Sequence, residues 1–203
     1  GVNGVVDRFG QIKPKVLFAT NGYHYNGKVC DTRPTIDGVA ARMPEIERVV
    51  VLPFVDSLST DVTSARGVAW HEFAVKGSSL AFTSVGFDHP LYIMFSSGTT
   101  GVPKCIVHGH GGTLLQHMKE HVLHTDIGTA DRLFYLTTCG WMMWNWLVSG
   151  LATGATLVLF DGAPFLRDGR ILWEMAENER VTVFGTSAKY LSALEKEGVR
   201  PGD

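Results

Sequence analysis

Between Arg132 and Asp161 the chain runs from Leu133 to Phe160 without one charged side chain, and no other feature restricts its fold so strongly. A stretch of that length could cross a bilayer as a single helix. Its interior argues against this: Gly140, Gly150 and Gly154, with Thr137, Thr138, Asn145, Ser149, Thr153 and Thr156, divide it into three short pieces. The spacing predicts a strand over 133–138, a helix over 141–151 and a strand over 155–160. Apolar strands flanking a helix are what a parallel sheet covered on both faces requires.

The rest of the chain continues that alternation. A strand is expected over 14–20, followed by a loop punctuated by Asn21-Gly22 and Asn26-Gly27. A helix over 37–43 stops at Pro44. A buried strand over 48–55 contains Pro53, which places it at an edge or a bulge. A Ser/Thr/Asp-rich surface connection spans 56–67, and a weak helix 68–75. The clearest strand is 91–95, after Pro90. Beyond the charge-free run come a helix over 170–178, a strand over 181–185 and a helix over 188–197. The fold class is α/β, with a mostly parallel sheet flanked by helices.

Composition narrows the function. With 45% hydrophobic and 19% charged residues the chain is no disordered tail, and 18 Lys+Arg against 20 Asp+Glu leave no field to attract a nucleic-acid backbone. Neither nucleic-acid binding nor membrane insertion is expected. Cys30, Cys105 and Cys139 are too few and too scattered for a disulfide framework or zinc ribbon, and an odd number suits a reducing, cytoplasmic location. The chain opens Gly1-Val2-Asn3-Gly4, without Met or a signal-peptide pattern, and ends at Pro201-Gly202-Asp203. Both ends are expected to be cuts within a longer polypeptide.

Directly after the strand at 91–95 comes Ser96-Ser97-Gly98-Thr99-Thr100-Gly101-Val102-Pro103-Lys104. Its glycines let backbone amides approach an anion, its four hydroxyls bond phosphate oxygens, and Lys104 supplies charge. The spacing fits neither the Walker loop nor the dinucleotide fingerprint. It is read as a phosphate-cradling loop, against the alternative of a Ser/Thr/Gly surface turn.

A rival chemistry lies in the histidines. Five of the eight fall between His108 and His124, and His117-Met118-Lys119-Glu120-His121 matches H-x-x-E-H, in which two histidines one helical turn apart bind zinc and Glu120 acts as general base. The competing reading is a half-buried helix with Leu114, Leu115, Met118 and Val122 on its apolar arc and His117, His121 and His124 along the edge. His108-Gly109-His110-Gly111-Gly112 echoes a hydrolase oxyanion loop, but no G-x-S-x-G elbow accompanies it.

The string from Ser96 to Lys104 resembles the phosphate loop of the adenylate-forming superfamily, which includes acyl-CoA synthetases, luciferases and peptide-synthetase adenylation domains. The flanking text, Phe87-Asp88-His89-Pro90-Leu91-Tyr92-Ile93-Met94-Phe95 before it and Cys105-Ile106-Val107-His108-Gly109 and Gly111-Gly112-Thr113-Leu114 behind it, is similar to the acetoacetyl-CoA synthetase family. Gln116 to His121 and Cys139-Gly140-Trp141-Met142-Met143-Trp144-Asn145-Trp146 continue the likeness.

The resemblance implies an ATP-dependent, AMP-forming acid-thiol ligase. Acetoacetate would attack ATP to give acetoacetyl-adenylate and pyrophosphate, and coenzyme A would then displace AMP, with Mg2+ as the metal cofactor. It implies that Ser96, Ser97, Gly98, Thr99, Thr100, Gly101 and Lys104 bind the ATP phosphates. Trp141, Met142, Trp144 and Asn145 would form a wall of the acyl pocket, with Asn145 facing the 3-keto oxygen, although core packing accounts for most such aromatic stripes. Lys28 would meet the CoA nucleotide, or else sit on an ordinary exposed turn. Residues 1–203 are then part of a large N-terminal AMP-binding domain, 1–86 leading and 87–203 carrying the loop and pocket wall. The family's Tyr-Gly-x-Thr-Glu segment, its ribose-binding Asp and Arg and its mobile C-terminal domain are not found in this sequence, so 1–203 alone is expected to be inactive.

Overall fold

The computed structural model describes residues 1–74, 77, 79–96 and 101–202. The backbone divides into two compact units, residues 1–84 with 93–107, and residues 85–92 with 108–203.

In the first unit, α1 (Val2–Phe9) precedes β1 (Val16–Thr20), the hairpin β2 (Gly22–Tyr25) and β3 (Lys28–Asp31), α2 (Arg33–Arg42), β4 (Arg48–Leu52), β5 (Gly67–Ala69) and the short α3 (Trp70–Phe73). The sheet runs β1-β4-β5, all parallel, with Phe18 opposite Val50 and Val50 opposite Val68. Ile36, Val39, Ala40 and Met43 of α2 and its C-terminal end pack with Ile46, Val49 and Val51 as the buried core, which Val2, Val5, Val6 and Phe9 of α1 close over.

β4 is therefore the central strand. The expected edge position fails because the strand ends at Leu52, leaving Pro53 outside the ladder, where its missing N–H costs nothing. The Asn26-Gly27 pair likewise marks a hairpin turn rather than a loop. Both residues have positive φ, 48° and 74°, the mirror-image turn that matches the twist of two antiparallel strands. The helix expected over 37–43 begins earlier, at Arg33, because Pro34 in its first turn is pre-set for helix. Of the helix expected over 68–75, Val68 and Ala69 belong to strand β5, and its end, Val75, lies outside the described residues.

β6 (Pro90–Phe95) and β7 (Cys105–Gly109) form a two-stranded sheet on either side of the glycine-rich loop. The second unit continues with α4 (His110–Met118), a π-helical segment Lys119–His124, β8 (Arg132–Tyr135), α5 (Met142–Ser149), a 3-10 turn Gly150–Thr153, β9 (Thr156–Val158), α6 (Ile171–Asn178), β10 (Val183–Gly185) and α7 (Ala188–Lys196). The sheet order is β10-β8-β9, again all parallel. The charge-free run thus folds as strand, helix and strand, and β8 in the middle buries Leu133 and Phe134 completely or nearly so. One face is closed by Leu172, Tyr190 and Leu194 with Phe134 and Val158, and Trp173 stacks on Phe184 at 4.7 Å. A second cluster joins Ile127, Leu133, Leu147 and Ala155, with Trp144 and Trp146 of α5 packed against it. No helix among the described residues is long and apolar enough to cross a membrane.

Candidate functional site

The glycine-rich loop leaves β6 at Ser96 and rejoins β7 after Lys104, and its two ends are tied together. The Ser96 amide donates to the Lys104 carbonyl at 3.0 Å, and the Lys104 amide donates to Ser96 Oγ at 3.2 Å. Gly101 has a φ of +96°, a conformation that a side chain would strain. Lys104 is exposed. Of the other residues read as phosphate ligands, Ser97, Gly98, Thr99 and Thr100 lie outside the described residues. The bonded pair of Ser96 and Lys104 sits at a strand end with the lysine facing solvent, where its ammonium can meet an anion from water.

One residue on this loop's frame carries no signal in the sequence. Gln11, just beyond α1, donates from Nε2 to the Pro103 carbonyl at 2.7 Å, across a separation of 92 residues. Phe9 packs on Phe95 with ring centroids 6.2 Å apart. Neither pairing leaves a local pattern from which it could be read.

Lys28 opens β3 in the hairpin of the first unit and is exposed beside the exposed Tyr23, His24 and Tyr25 of β2. Lys28 lies opposite Tyr25 in the ladder and so shares a side of the hairpin with Tyr23 and Tyr25, with His24 on the other side. Below them, Asn21 is fully buried: its Oδ1 accepts from the amides of Phe54 and Val55, both at 3.0 Å, and its Nδ2 donates to the carbonyls of Val55 and Leu58 at 3.0 and 2.8 Å. All the hydrogen-bonding capacity a side-chain amide offers to this turn is engaged.

The four residues read as an acyl-pocket wall share one short segment. Trp141 is the extended residue before α5 and Met142 is its first residue; both are exposed. Trp144 and Asn145 follow one turn on and are half-buried, Trp144 against the Leu133 and Leu147 cluster. The segment therefore offers aromatic and thioether surface at its start and is anchored in the core at its end. The structure places the loop and Lys28 in the first unit and the acyl segment in the second.

The histidines do not form the zinc centre that H-x-x-E-H suggested. His121 is completely buried, and its Nε2 lies 2.9 Å from the Trp146 carbonyl and 3.0 Å from Ser149 Oγ. A carbonyl only accepts, so Nε2 carries the proton and the imidazole is a neutral structural donor to α5. Burial holds its pKa below the ordinary histidine value, and His117, half-buried nearby, is lowered by the same cause. Glu120 is engaged by Gln116 and Lys119. No group of three or more His, Cys, Asp or Glu side chains that could hold a metal occurs among the described residues.

The apolar arc expected on this helix is not its buried face, and of its four residues Met118 alone is half-buried. Leu114, Leu115 and Val122 are exposed while His121 is inside. The reason is twofold. The π-helical segment at 119–124 breaks the regular 3.6-residue period, and the Trp146 ring 4.3 Å from His121 gives the imidazole an aromatic neighbour. Ahead of it, the backbone at His110 and Gly111 bonds the carbonyls of His89 and Phe87 at 2.8 Å each, so the His-Gly-His-Gly-Gly string fastens a strand-to-helix junction.

Tyr92 and His108, neighbours across β6 and β7, have ring centroids 5.4 Å apart, and burial raises the Tyr92 pKa.

Comparison with known proteins agrees with these assignments of fold. An acetoacetyl-coenzyme A synthetase of Rhizobium meliloti (strain 1021) is 52% identical over 204 residues, covering 99% of this chain and 31% of that protein. A malonamoyl-CoA synthetase of Penicillium aethiopicum is 43% identical over 214 residues, covering 97% of this chain and 30% of that protein. Among solved structures, an acetoacetyl-CoA synthetase from Streptomyces lividans superposes with a TM-score of 0.90 at 42% identity, over 100% of this chain and 31% of that one. The chain thus spans less than a third of the length of these relatives. The family described as AMP-binding enzyme matches residues 4–201, and the chain belongs to that family.

Proposed function

We propose that this chain is part of an acetoacetate-CoA ligase, a short-chain acyl-CoA synthetase in which it supplies the phosphate loop and one wall of the acyl pocket. The observation that carries the reading is the pairing of Ser96 with Lys104 across the ends of the glycine-rich string, with the lysine exposed. Relatives that bear the name acetoacetyl-CoA synthetase at up to 52% identity support the acyl assignment.

In this reading an acetoacetate oxygen forms a bond to the α-phosphorus of ATP as the bond to pyrophosphate breaks. The CoA thiol then attacks the acyl carbon and AMP leaves. Lys104 and the hydroxyl-rich loop hold the β- and γ-phosphates, so that charge gathering on pyrophosphate meets donors already in place. The chain's work here is positioning: the attacking oxygen, the phosphorus and the leaving oxygen must lie in line. Lys28 supplies charge toward the CoA nucleotide. Mg2+ neutralises phosphate charge when bound, but the described residues offer no carboxylate cluster for it, and it is assigned no ligand in this chain. Residues 1–203 belong in this reading to the large N-terminal domain, and a cytoplasmic location accords with three scattered cysteines.

The second reading keeps the reaction and changes the acid. A relative named malonamoyl-CoA synthetase at 43% identity favours a set of short acids with a carbonyl at the third carbon. Acid-dependent ATP–pyrophosphate exchange by the complete polypeptide, with acetoacetate, butyrate and malonamate, separates the two. Acetoacetate should support the fastest exchange, and Asn145→Ala should lower its advantage over butyrate by about tenfold, the worth of one buried hydrogen bond. Equal exchange with butyrate would overturn the acyl assignment, and no exchange with any of the acids would overturn adenylation itself.

A further inference from the structure

The end of α1 reaches both limbs of the phosphate loop. Phe9 packs on Phe95, the residue before Ser96, and Gln11 grips the other limb on each side of Lys104. Its Nε2 donates to the carbonyls of Asp7 and Pro103, each at 2.7 Å, and its Oε1 accepts from Cys105 Sγ at 3.4 Å. A carboxamide has two N–H donors and one carbonyl acceptor, and each is in use. Pro103 and Cys105 are the immediate neighbours of Lys104, so one side chain bonds the backbone carbonyl before the cation and the thiol after it.

We infer that Gln11 is a positioning residue for Lys104, fixing the limb from which the lysine meets the nucleotide's phosphates. The inference rests on the phosphate-loop reading and adds to it a residue that touches no substrate. The Ser96 pair ties the Lys104 peptide to the opposite limb. The bonds to the Pro103 carbonyl and the Cys105 thiol tie the residues on either side of it to Gln11. Asparagine is one methylene too short to span the same groups from the same backbone, and glutamate would bring a carboxylate against two carbonyl oxygens with no proton to share.

The test uses ATP–pyrophosphate exchange by the complete polypeptide carrying this chain. Gln11→Ala should raise KM for ATP about fivefold to tenfold, the loss expected of one or two hydrogen bonds. KM for the acid should be unchanged and Tm should stay within about 2 °C, since Gln11 is exposed. Gln11→Glu, nearly equal in shape, should be at least as impaired. In a Lys104→Ala background, Gln11→Ala should change KM for ATP by less than about twofold, because its effect passes through the lysine.

A Gln11→Ala enzyme with unaltered KM for ATP, or one whose defect multiplies fully with that of Lys104→Ala, would overturn the inference while leaving the phosphate loop standing. So would a defect shared equally by ATP and the acid together with a lowered Tm. If Lys104→Ala itself left kcat/KM for ATP unmoved, the phosphate-loop reading would fall, and the role of Gln11 with it.

Discussion

Asn21 shows how much one buried side chain can hold. Replacing it with alanine leaves the Phe54 and Val55 amides and the Leu58 carbonyl without that partner, while the Val55 carbonyl keeps the Leu58 amide, and each buried unpaired group costs about 1–3 kcal/mol. Some of those groups would find water, so Asn21→Ala should lower stability by about 3 kcal/mol, measured as the shift in the urea midpoint. Asn21→Asp should be no better, since a carboxylate cannot donate to Val55 and Leu58. His121 gives a second expectation. Its folded-state pKa lies below the value near 6.5 of an unfolded imidazole, so the unfolded chain binds the proton more readily. The contribution of His121 is therefore complete above about pH 6.5 and is lost as the pH falls below it, levelling off once the folded-state value is passed. Unfolding curves between about pH 8 and about pH 5 should show a shallower loss in His121→Leu than in the parent; equal slopes would contradict the assignment. The glycine-rich string after β6 could be singled out because its residues are contiguous. The bonds of His121 and Gln11 could not be read, because their partners lie 25 and 92 residues away.

At the scale of elements, parallel pairing was readable from apolar runs alternating with helices, and four parallel pairings bear it out. What escaped was the turn chemistry at 26–27 and the place where each strand stops. Local propensity does not record where a neighbouring strand runs out of partners. Gly185 illustrates the tertiary term. It sits opposite Tyr135 in the β10–β8 ladder, and a Cβ there would fall 2.1 Å from the Tyr135 ring. That ring meets Trp146 of α5 edge-on at 5.8 Å, so displacing it disturbs the helix that carries Trp144 and Asn145. Gly185→Ala should cost about 1–3 kcal/mol, read by thermal unfolding. If Asn145 acts as proposed, the same substitution should raise KM for acetoacetate more than KM for ATP.

For the molecule as a whole, the α/β class and the family could be read from the sequence, since both depend on order along the chain. The division into two compact units, with the loop in one and the acyl segment in the other, could not, because it depends on which distant segments pack together. The account turns on one claim: that the Ser96–Lys104 turn holds ATP phosphates during adenylation. The most direct measurement is acetoacetate-dependent ATP–pyrophosphate exchange by the complete polypeptide, parent against Lys104→Ala, with Tm measured on the same samples. Loss of about tenfold to a hundredfold in kcat/KM for ATP at unchanged Tm is the predicted result, the scale of removing one pre-placed charge from developing anionic oxygens. Undiminished exchange by Lys104→Ala would contradict the claim.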